Sequence, residues 1–378
     1  MELILKQYDI PLLRFSATND SSTPEIEVHW INEDQRHLLP LDMELSPEGI
    51  SRWMRRRTIP RNRAYVNRLL AKCGLNANRP MGILALCKGL SVDDSYWVVE
   101  EGFEGTFEKY NLFENRFSEV LALIAFTGYG SSNRSSLASS PEFTTNGMLP
   151  KCWRRISGKV MLYKGGTDGG YNTGAEPYCE YYAAQVAAAM GIDAIPYGLS
   201  QWKGRLCSTC ELFTDIDHAY MPIGNLVQRG GFDAVAAYYE KLGEPFQKAF
   251  RDMLAFDAVI CNTDRHYGNF GFMIDNKTNT IAAPAPLFDH GNSLFNQAGP
   301  EDYESPEAFQ QYIDTLVPCV YDDFFATAKR FMTDENREQL RKLLGFRFKR
   351  HVRYNLPSKR LKLMEEQVRK RAMRLLEN

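Results

Sequence analysis

One stretch restricts the fold of this chain more than any other: ICNTDRHYGNFGFMI, residues 260–274. Ahead of it, Met253, Leu254, Phe256 and Val259 form an apolar helix end, and behind it the chain turns apolar again as a strand. A polar loop held between two buried elements is fixed in place, which is what a site needs. Within the loop, Asp264 and Asn269 stand five residues apart. A carboxylate there can orient a hydroxyl group and accept its proton. An amide oxygen can coordinate Mg²⁺ without adding further negative charge. The plainer alternative is that both side chains cap turns.

A second polar position follows at residues 287–291, LFDHG. Asp289 sits there on a strand end, before X-Gly, as a carboxylate suited to a hard divalent cation. Protein kinases place a catalytic Asp and a metal-binding Asn in the same D-x-x-x-x-N pattern, with a second metal-binding Asp downstream. Two more parts are then required upstream: a strand lysine for the α- and β-phosphates, and a helical glutamate to hold it. Lys164 ends the strand KVMLYK, and alternation puts it on one face with Val160 and Leu162. Glu180 lies in the first turn or so of the next helix, with Glu176 as the substitute. Each signal alone is common, because exposed helices and strand ends are rich in Glu and Lys. The order Lys164, Glu180, Asp264, Asn269, Asp289 makes them specific together.

The remaining signals organise the 378 residues, enough for two or three domains or one large two-lobed unit. Residues 1–8 and 25–30 read as strands, and residues 47–73 as helix interrupted at Pro60. The Gly-, Ser- and Asn-rich run at 128–150 reads as a long loop without regular structure. Residues 159–164 read as a strand and 176–190 as a helix stopped at Gly191. A hairpin is expected from 195–199 and 206–213 around Lys203-Gly204. From Phe232 the pattern is mainly helical, broken at 261–296, and residues 347–376 read as a basic helix. The divisions expected are 1–125, 126–215 and 216–378.

Composition excludes more than it assigns. The formal net charge of −2 gives no whole-chain reason for nucleic-acid or membrane binding. The basic runs at 52–63 and near the C-terminus read as solvated helix faces, so direct nucleic-acid contact is not expected. Eight cysteines include one CxxC, Cys207 and Cys210, inside an apolar strand run, and no second pair accompanies it. Buried strand cysteines are expected there rather than a zinc or redox site. No run of 18 apolar residues and no signal-peptide pattern is present, so a reduced cytoplasmic setting is expected.

On these residues the chain resembles the HipA family of bacterial serine/threonine kinases, itself distantly similar to phosphatidylinositol kinases. The likeness is in GMLPK (147–151), the strand ending in Lys164, CELF (210–213), NTDRHYGN (262–269) and FDHG (288–291), and spans residues 145–350. Two earlier stretches, LPLDMELSPEGISRW and LSVDDSYWV, are loosely similar to amino-terminal parts of HipA-like proteins. The resemblance implies an α+β, two-lobed kinase-like fold with a mixed N-lobe, a mainly helical C-lobe and an amino-terminal α/β extension. It implies Mg²⁺ and ATP, with a protein serine or threonine as phosphate acceptor. Asp264 would be the catalytic base, Asn269 and Asp289 the metal ligands, and Lys164, held by Glu180, the ATP lysine. The backbone of Glu211 and Phe213 would meet adenine. No GxGxxG is present, so amides around Thr144–Gly147, with Thr145, Asn146 and Gly147, would cradle the phosphates. His266 is a further candidate contact, against a purely local hydrogen-bonding role. Autophosphorylation in the preceding loop would fall on Ser139, Ser140, Thr144 or Thr145. An antitoxin-like partner is also implied, although the amino-terminal region is shorter than in toxin-type members. Two alternatives keep the motifs: a non-catalytic nucleotide-binding regulator, and a lipid or small-molecule kinase.

Overall fold

The first strands alternate buried and exposed residues, and that alternation builds the first of two units in the computed structural model. Residues 1–18, 23–130, 140–168 and 174–377 are described. One unit comprises Met1–Lys164, Glu211–Met221 and Met273–Ala282, and the other comprises Gly165–Cys210, Pro222–Phe272 and Ala283–Asn378.

In the first unit, β1 (Glu2–Gln7), β2 (Ile10–Ala17), β3 (Ile26–Ile31) and a later strand form an antiparallel sheet. Helices α1 (Pro47–Arg56), α2 (Val66–Lys72) and α3 (Pro80–Cys87) intervene before that strand, β4 (Tyr96–Glu100), and the order is β3-β2-β1-β4. Pro60 separates α1 from α2 as expected, because proline cannot donate the next helical bond. The Ser46 side chain caps α1 by accepting from the Gly49 N–H at 3.1 Å. Leu3, Leu5, Leu13 and Phe15 of the sheet bury against Trp53 and Met54 of α1. Then come α4 (Phe107–Tyr110), α5 (Glu119–Thr127), β5 (Lys151–Ile156) and β6 (Lys159–Gly165). β5 and β6 pair antiparallel, with Lys151 opposite Lys164. A second core gathers Trp97, Phe107, Leu112, Trp153 and Val160. The expected loop at 128–150 contains a single-turn 3-10 helix, Pro141–Phe143, capped by Ser140. Residues 131–139 of that run lie outside the described residues.

The second unit opens with α6 (Glu176–Met190), which has the expected bounds and ends on Gly191 at φ +81°. Strands β7 (Gly198–Trp202) and β8 (Arg205–Glu211) make the expected hairpin, turned by Lys203 and Gly204, both at positive φ. The first strand starts later than expected. Residues 194 and 195 instead engage Leu287, through a parallel bridge and an Ile195 N–H bond of 2.8 Å. Cys207 and Cys210 are buried on β8, as expected.

The strands β9 (His218–Pro222), β10 (Gly271–Asp275) and β11 (Thr280–Pro284) form a sheet ordered β11-β10-β9, most of whose residues belong to the first unit. The rest of the second unit is helical: α7 (Ile223–Leu226), α8 (Gly231–Leu242), α9 (Phe246–Ile260), α10 (Pro306–Ile313), α11 (Phe324–Phe331), α12 (Asp334–Arg341) and α13 (Ser358–Leu376). α9 is its axis: every residue from Asp252 to Ile260 is buried, and α6, α8, α11, α12 and α13 pack on it. The basic C-terminal helix is shorter than its composition suggested. It begins at Ser358, because Pro357 lacks an N–H and is extended at ψ 140°. Among the described residues no helix is long and apolar enough to cross a membrane.

Candidate active site

The polar loop after α9 is built by its own side chains. Cys261 ends the helix in the left-handed conformation at φ +53°. The Asn262 N–H then bonds back to the Asp257 carbonyl at 3.1 Å, and the Asn262 amide donates to Asp257 Oδ1 at 3.2 Å. Asn262 Oδ1 accepts from the Asp264 N–H at 3.1 Å, which sets the chain direction at Asp264. The Asp264 carbonyl accepts from the His266 N–H at 2.8 Å and from Asn269 Nδ2 at 3.2 Å. That second bond orients the Asn269 amide by engaging its nitrogen. Asn269 is 6% exposed, so its oxygen is held rather than free to rotate.

Arg265 ties this loop to the segment that contains Asp289. Its guanidinium, 1% exposed, donates to Asp257 at 2.9 and 3.1 Å, to the Asn269 carbonyl at 3.1 Å and to the Phe288 carbonyl at 2.6 Å. The nitrogen that donates to Asp257 Oδ1 also lies 3.0 Å from His290 Nδ1. Burial pushes the Asp257 carboxyl above its ordinary value, and Arg265 opposes that. Burial works against the Arg265 charge, but the charge and hydrogen bonds of Asp257, with the nearby Asp289 carboxylate, together leave the guanidinium above its ordinary value. Arg265 therefore pairs with an acid. His290 is buried and bonds locally.

Asp289 adopts φ +56°, a left-handed conformation that Asp tolerates better than most residues. Its N–H donates to the hydroxyl of Tyr197 at 3.1 Å. Three residues on, Asn292 closes the link: its carbonyl accepts from the Thr263 N–H at 3.0 Å, and its Nδ2 donates to Asp264 Oδ2 at 2.8 Å. The segments bearing Asp264, Asn269 and Asp289 are thus stitched together within the second unit.

The donor set suits a hard cation. Asn269 Oδ1 and the Asp289 carboxylate are hard oxygen donors that could hold such an ion, and Mg²⁺ commonly takes one or two carboxylates beside phosphate oxygens and water. Among the described residues no three His, Cys, Asp or Glu side chains gather as a self-sufficient metal cluster. A cation here would need the phosphates as well.

The other expected positions divide between the units. Glu180 belongs to the second unit, in the second turn of α6 rather than the first; it is fully buried and accepts from the Ser208 hydroxyl of β8. Glu176 accepts from the Thr167 N–H at 3.1 Å and from its hydroxyl. His266 is exposed, and its Nδ1 accepts from the Gly268 N–H at 3.0 Å, a local turn bond.

In the first unit, Lys164 is 6% exposed on the β6 face shared with Val160 and Leu162. The Glu211 carboxylate pairs with Lys159 at 2.6 Å, and β8 ends at Glu211, earlier than the strand expected to 213. The Leu212 N–H bonds the Val160 carbonyl at 2.9 Å, and the Phe213 ring meets Tyr220 edge-on. Thr145 donates its hydroxyl to the Pro141 carbonyl at 2.6 Å and accepts from Trp153 Nε1 at 2.9 Å. The Asn146 carbonyl accepts from Lys151 Nζ at 2.8 Å. Gly147 is exposed at φ +88°, and a Cβ there would stand 2.2 Å from Lys151 Nζ. Of the hydroxyls expected to take phosphate, Ser140 and Thr144 are buried at 1% and 3% exposure and already bonded. Ser139 lies outside the described residues.

Asp257, Asn292, Asn296 and Tyr197 had not been singled out in sequence. Asn292 follows DHG directly and had a local signal; Tyr197 had none, being 92 residues from its partner.

No protein-family model matches the chain. In sequence it is similar to the serine/threonine-protein kinase CtkA of Helicobacter pylori, 26% identical over 135 residues. That match covers 32% of this chain and 41% of the relative, so it spans less than half the length of that protein. Among solved structures, the HipA of Shewanella oneidensis, crystallised with HipB and operator DNA, superposes with a TM-score of 0.53. The identity is 13%, over 98% of this chain and 97% of that one. The crystal structure of CtkA matches 61% of this chain and 90% of its own, at 15% identity and a TM-score of 0.48. The fold is the α+β, HipA-like kinase fold.

Proposed function

We propose that the chain is a Mg²⁺- and ATP-dependent serine/threonine protein kinase of HipA type. The observation behind this reading is the stitched pair of segments in the second unit. Arg265 and Asn292 fix the Asp264 loop against the turn that presents Asp289. Bound Mg-ATP would supply the γ-phosphoryl group, with the cation drawing charge off its oxygens. Asp264 would accept the hydrogen bond of the acceptor hydroxyl and take its proton as the hydroxyl oxygen bonds to phosphorus and ADP leaves. Asn269 Oδ1 and the Asp289 carboxylate would hold the cation. Lys164 would hold the α- and β-phosphates, with Glu180 as its partner. Thr145, Asn146 and Gly147 would supply the loop over the phosphates, His266 a nearby polar contact, and the backbone of Glu211 and Phe213 the adenine edge. Catalysis in such a site is positioning and charge neutralisation.

Self-phosphorylation belongs to this proposal. Because Ser140 and Thr144 are buried, a phosphate on either requires the 140–145 segment to open first. A partner of antitoxin type is also proposed, since the similar HipA is described in complex with HipB. The test is transfer from radiolabelled ATP by wild type, Asp264→Asn and Asp289→Asn, with folding checked by circular dichroism. Both variants should lose transfer by at least about 1,000-fold. Undiminished transfer in either variant rejects the role of the residue replaced.

A further inference from the structure

Asp264 has one oxygen engaged. Oδ2 accepts from Asn292 Nδ2 at 2.8 Å, and among the described residues no hydrogen bond is made to Oδ1. The Asn292 amide cannot flip without loss, because its Oδ1 accepts from Asn296 Nδ2 at 2.9 Å. Asn296, 6% exposed, is the fixed end of this relay. The Asn292 backbone is pinned independently, since its carbonyl takes the Thr263 N–H and, at 3.2 Å, the Thr263 hydroxyl. An amide donor therefore reaches Asp264 from a backbone already bonded to the residue before it.

We propose that Asn292, oriented by Asn296, is a positioning residue that locks the Asp264 carboxylate in one rotamer and turns Oδ1 toward the acceptor hydroxyl. This rests on the kinase reading above and deepens it. The physical reason is geometric. A carboxylate on a loop swings about χ1 and χ2 unless one oxygen is tethered. A misplacement of about 1 Å in a reacting group costs about 100-fold in rate. Asn292 acts through Asp264 and touches no substrate, so its loss should lower kcat and leave ATP binding unchanged.

The test uses the full chain. Asn292→Asp keeps the side-chain shape but replaces the donor with an acceptor, and Asn292→Ala removes it. Each should lower kcat about 10- to 100-fold while KM for ATP stays within about twofold. Asn296→Ala, which leaves the donor but frees its orientation, should lower kcat by a smaller factor at the same KM. Melting temperatures are measured for all three. A variant that melts far below wild type is replaced in the comparison by Asn296→Ala. Activity is not the sole readout. In ¹⁵N spectra the Asn292 side-chain NH₂ signal, assigned by its disappearance in Asn292→Asp, should move in Asp264→Ala. A wild-type chain that transfers no phosphate overturns the kinase reading, while a shifted NH₂ signal would still establish the tether. An unmoved NH₂ signal, or an unchanged kcat in Asn292→Asp beside an active wild type, overturns the positioning role alone.

Discussion

Arg265 and Asp257 share a place from which water is excluded, with side chains 1% and 0% exposed. Desolvating two charges costs several kcal/mol per ion, and a single contact seldom offsets that. Here the guanidinium also serves the carbonyls of Asn269 and Phe288, and Asn262 covers the second Asp257 oxygen. The pair therefore fixes the loop by satisfying it on several sides. Removing one partner leaves the other charge buried without compensation. Asp257→Ala and Arg265→Ala should each cost about 3–5 kcal/mol, read as a fall in Tm of roughly 6–20 °C for a unit of this size. The double replacement Asp257→Leu with Arg265→Met should melt above either single variant, since no lone charge remains. A double variant that melts below both would show that the carbonyl contacts, not the charges, dominate. Little of this was legible in sequence. That Asp264 and Asn269 occupy one loop between a helix and a strand could be read from contiguous residues. The partner of Arg265 could not, because Asp257 sits on the helix among apolar neighbours and looks there like an ordinary helical acid.

The loop from Ser140 to Lys151 shows the same division at the scale of an element. Its composition identified it as irregular, but its order comes from Arg63, which is far away in sequence. Arg63, with no side-chain exposure, donates to the carbonyls of Glu142, Thr145 and Lys151 and to the Glu142 carboxylate at 2.7 Å. Glu142 in turn accepts from the Trp153 N–H at 2.8 Å, joining the loop to β5. In sequence Arg63 belonged to a run of basic residues and resembled a solvated face. The charge pattern alone could not separate the buried Arg63 and Arg57 from their exposed neighbours. α6 and the β7–β8 hairpin were legible because Gly191 and Lys203-Gly204 stop and turn the chain locally. Removing Arg63 should free the loop before it unfolds the unit. Arg63→Ala should expose residues 140–151 to limited proteolysis and destabilise the first unit by about 3 kcal/mol or more. Cleavage at the wild-type rate would mean that Glu142 and β5 hold the loop unaided.

At the scale of the whole molecule, the chain passes between its two units at residues 164/165, 210/211, 221/222, 272/273 and 282/283. The first unit is thus completed by two segments that follow long after its main part. Those segments satisfy groups that the main part buries. Gln7 Nε2 donates to the Asn276 carbonyl at 2.7 Å, and Asn279 Nδ2 reaches the carbonyls of His37 and Leu39 at 2.8 and 2.7 Å. The Thr214 hydroxyl donates to the Val92 carbonyl, and the Tyr220 N–H to that of Asp93 at 2.8 Å. Leu212 and Ile216 cover the core around Trp97 and Trp153. A fragment of residues 1–164 alone would leave several buried polar groups without partners, at about 1–3 kcal/mol each. Against a total stability of about 5–15 kcal/mol, that loss is enough to unfold it. The apolar rings uncovered at the same time favour association. The fragment should therefore show poor amide dispersion in proton NMR spectra, no cooperative melt by circular dichroism, and aggregates on gel filtration. A monomeric fragment melting cooperatively within about 5 °C of the first transition of the full chain would mean that the sheet β3-β2-β1-β4 and its helices suffice. The two returning segments would then be passengers on a unit that folds before them.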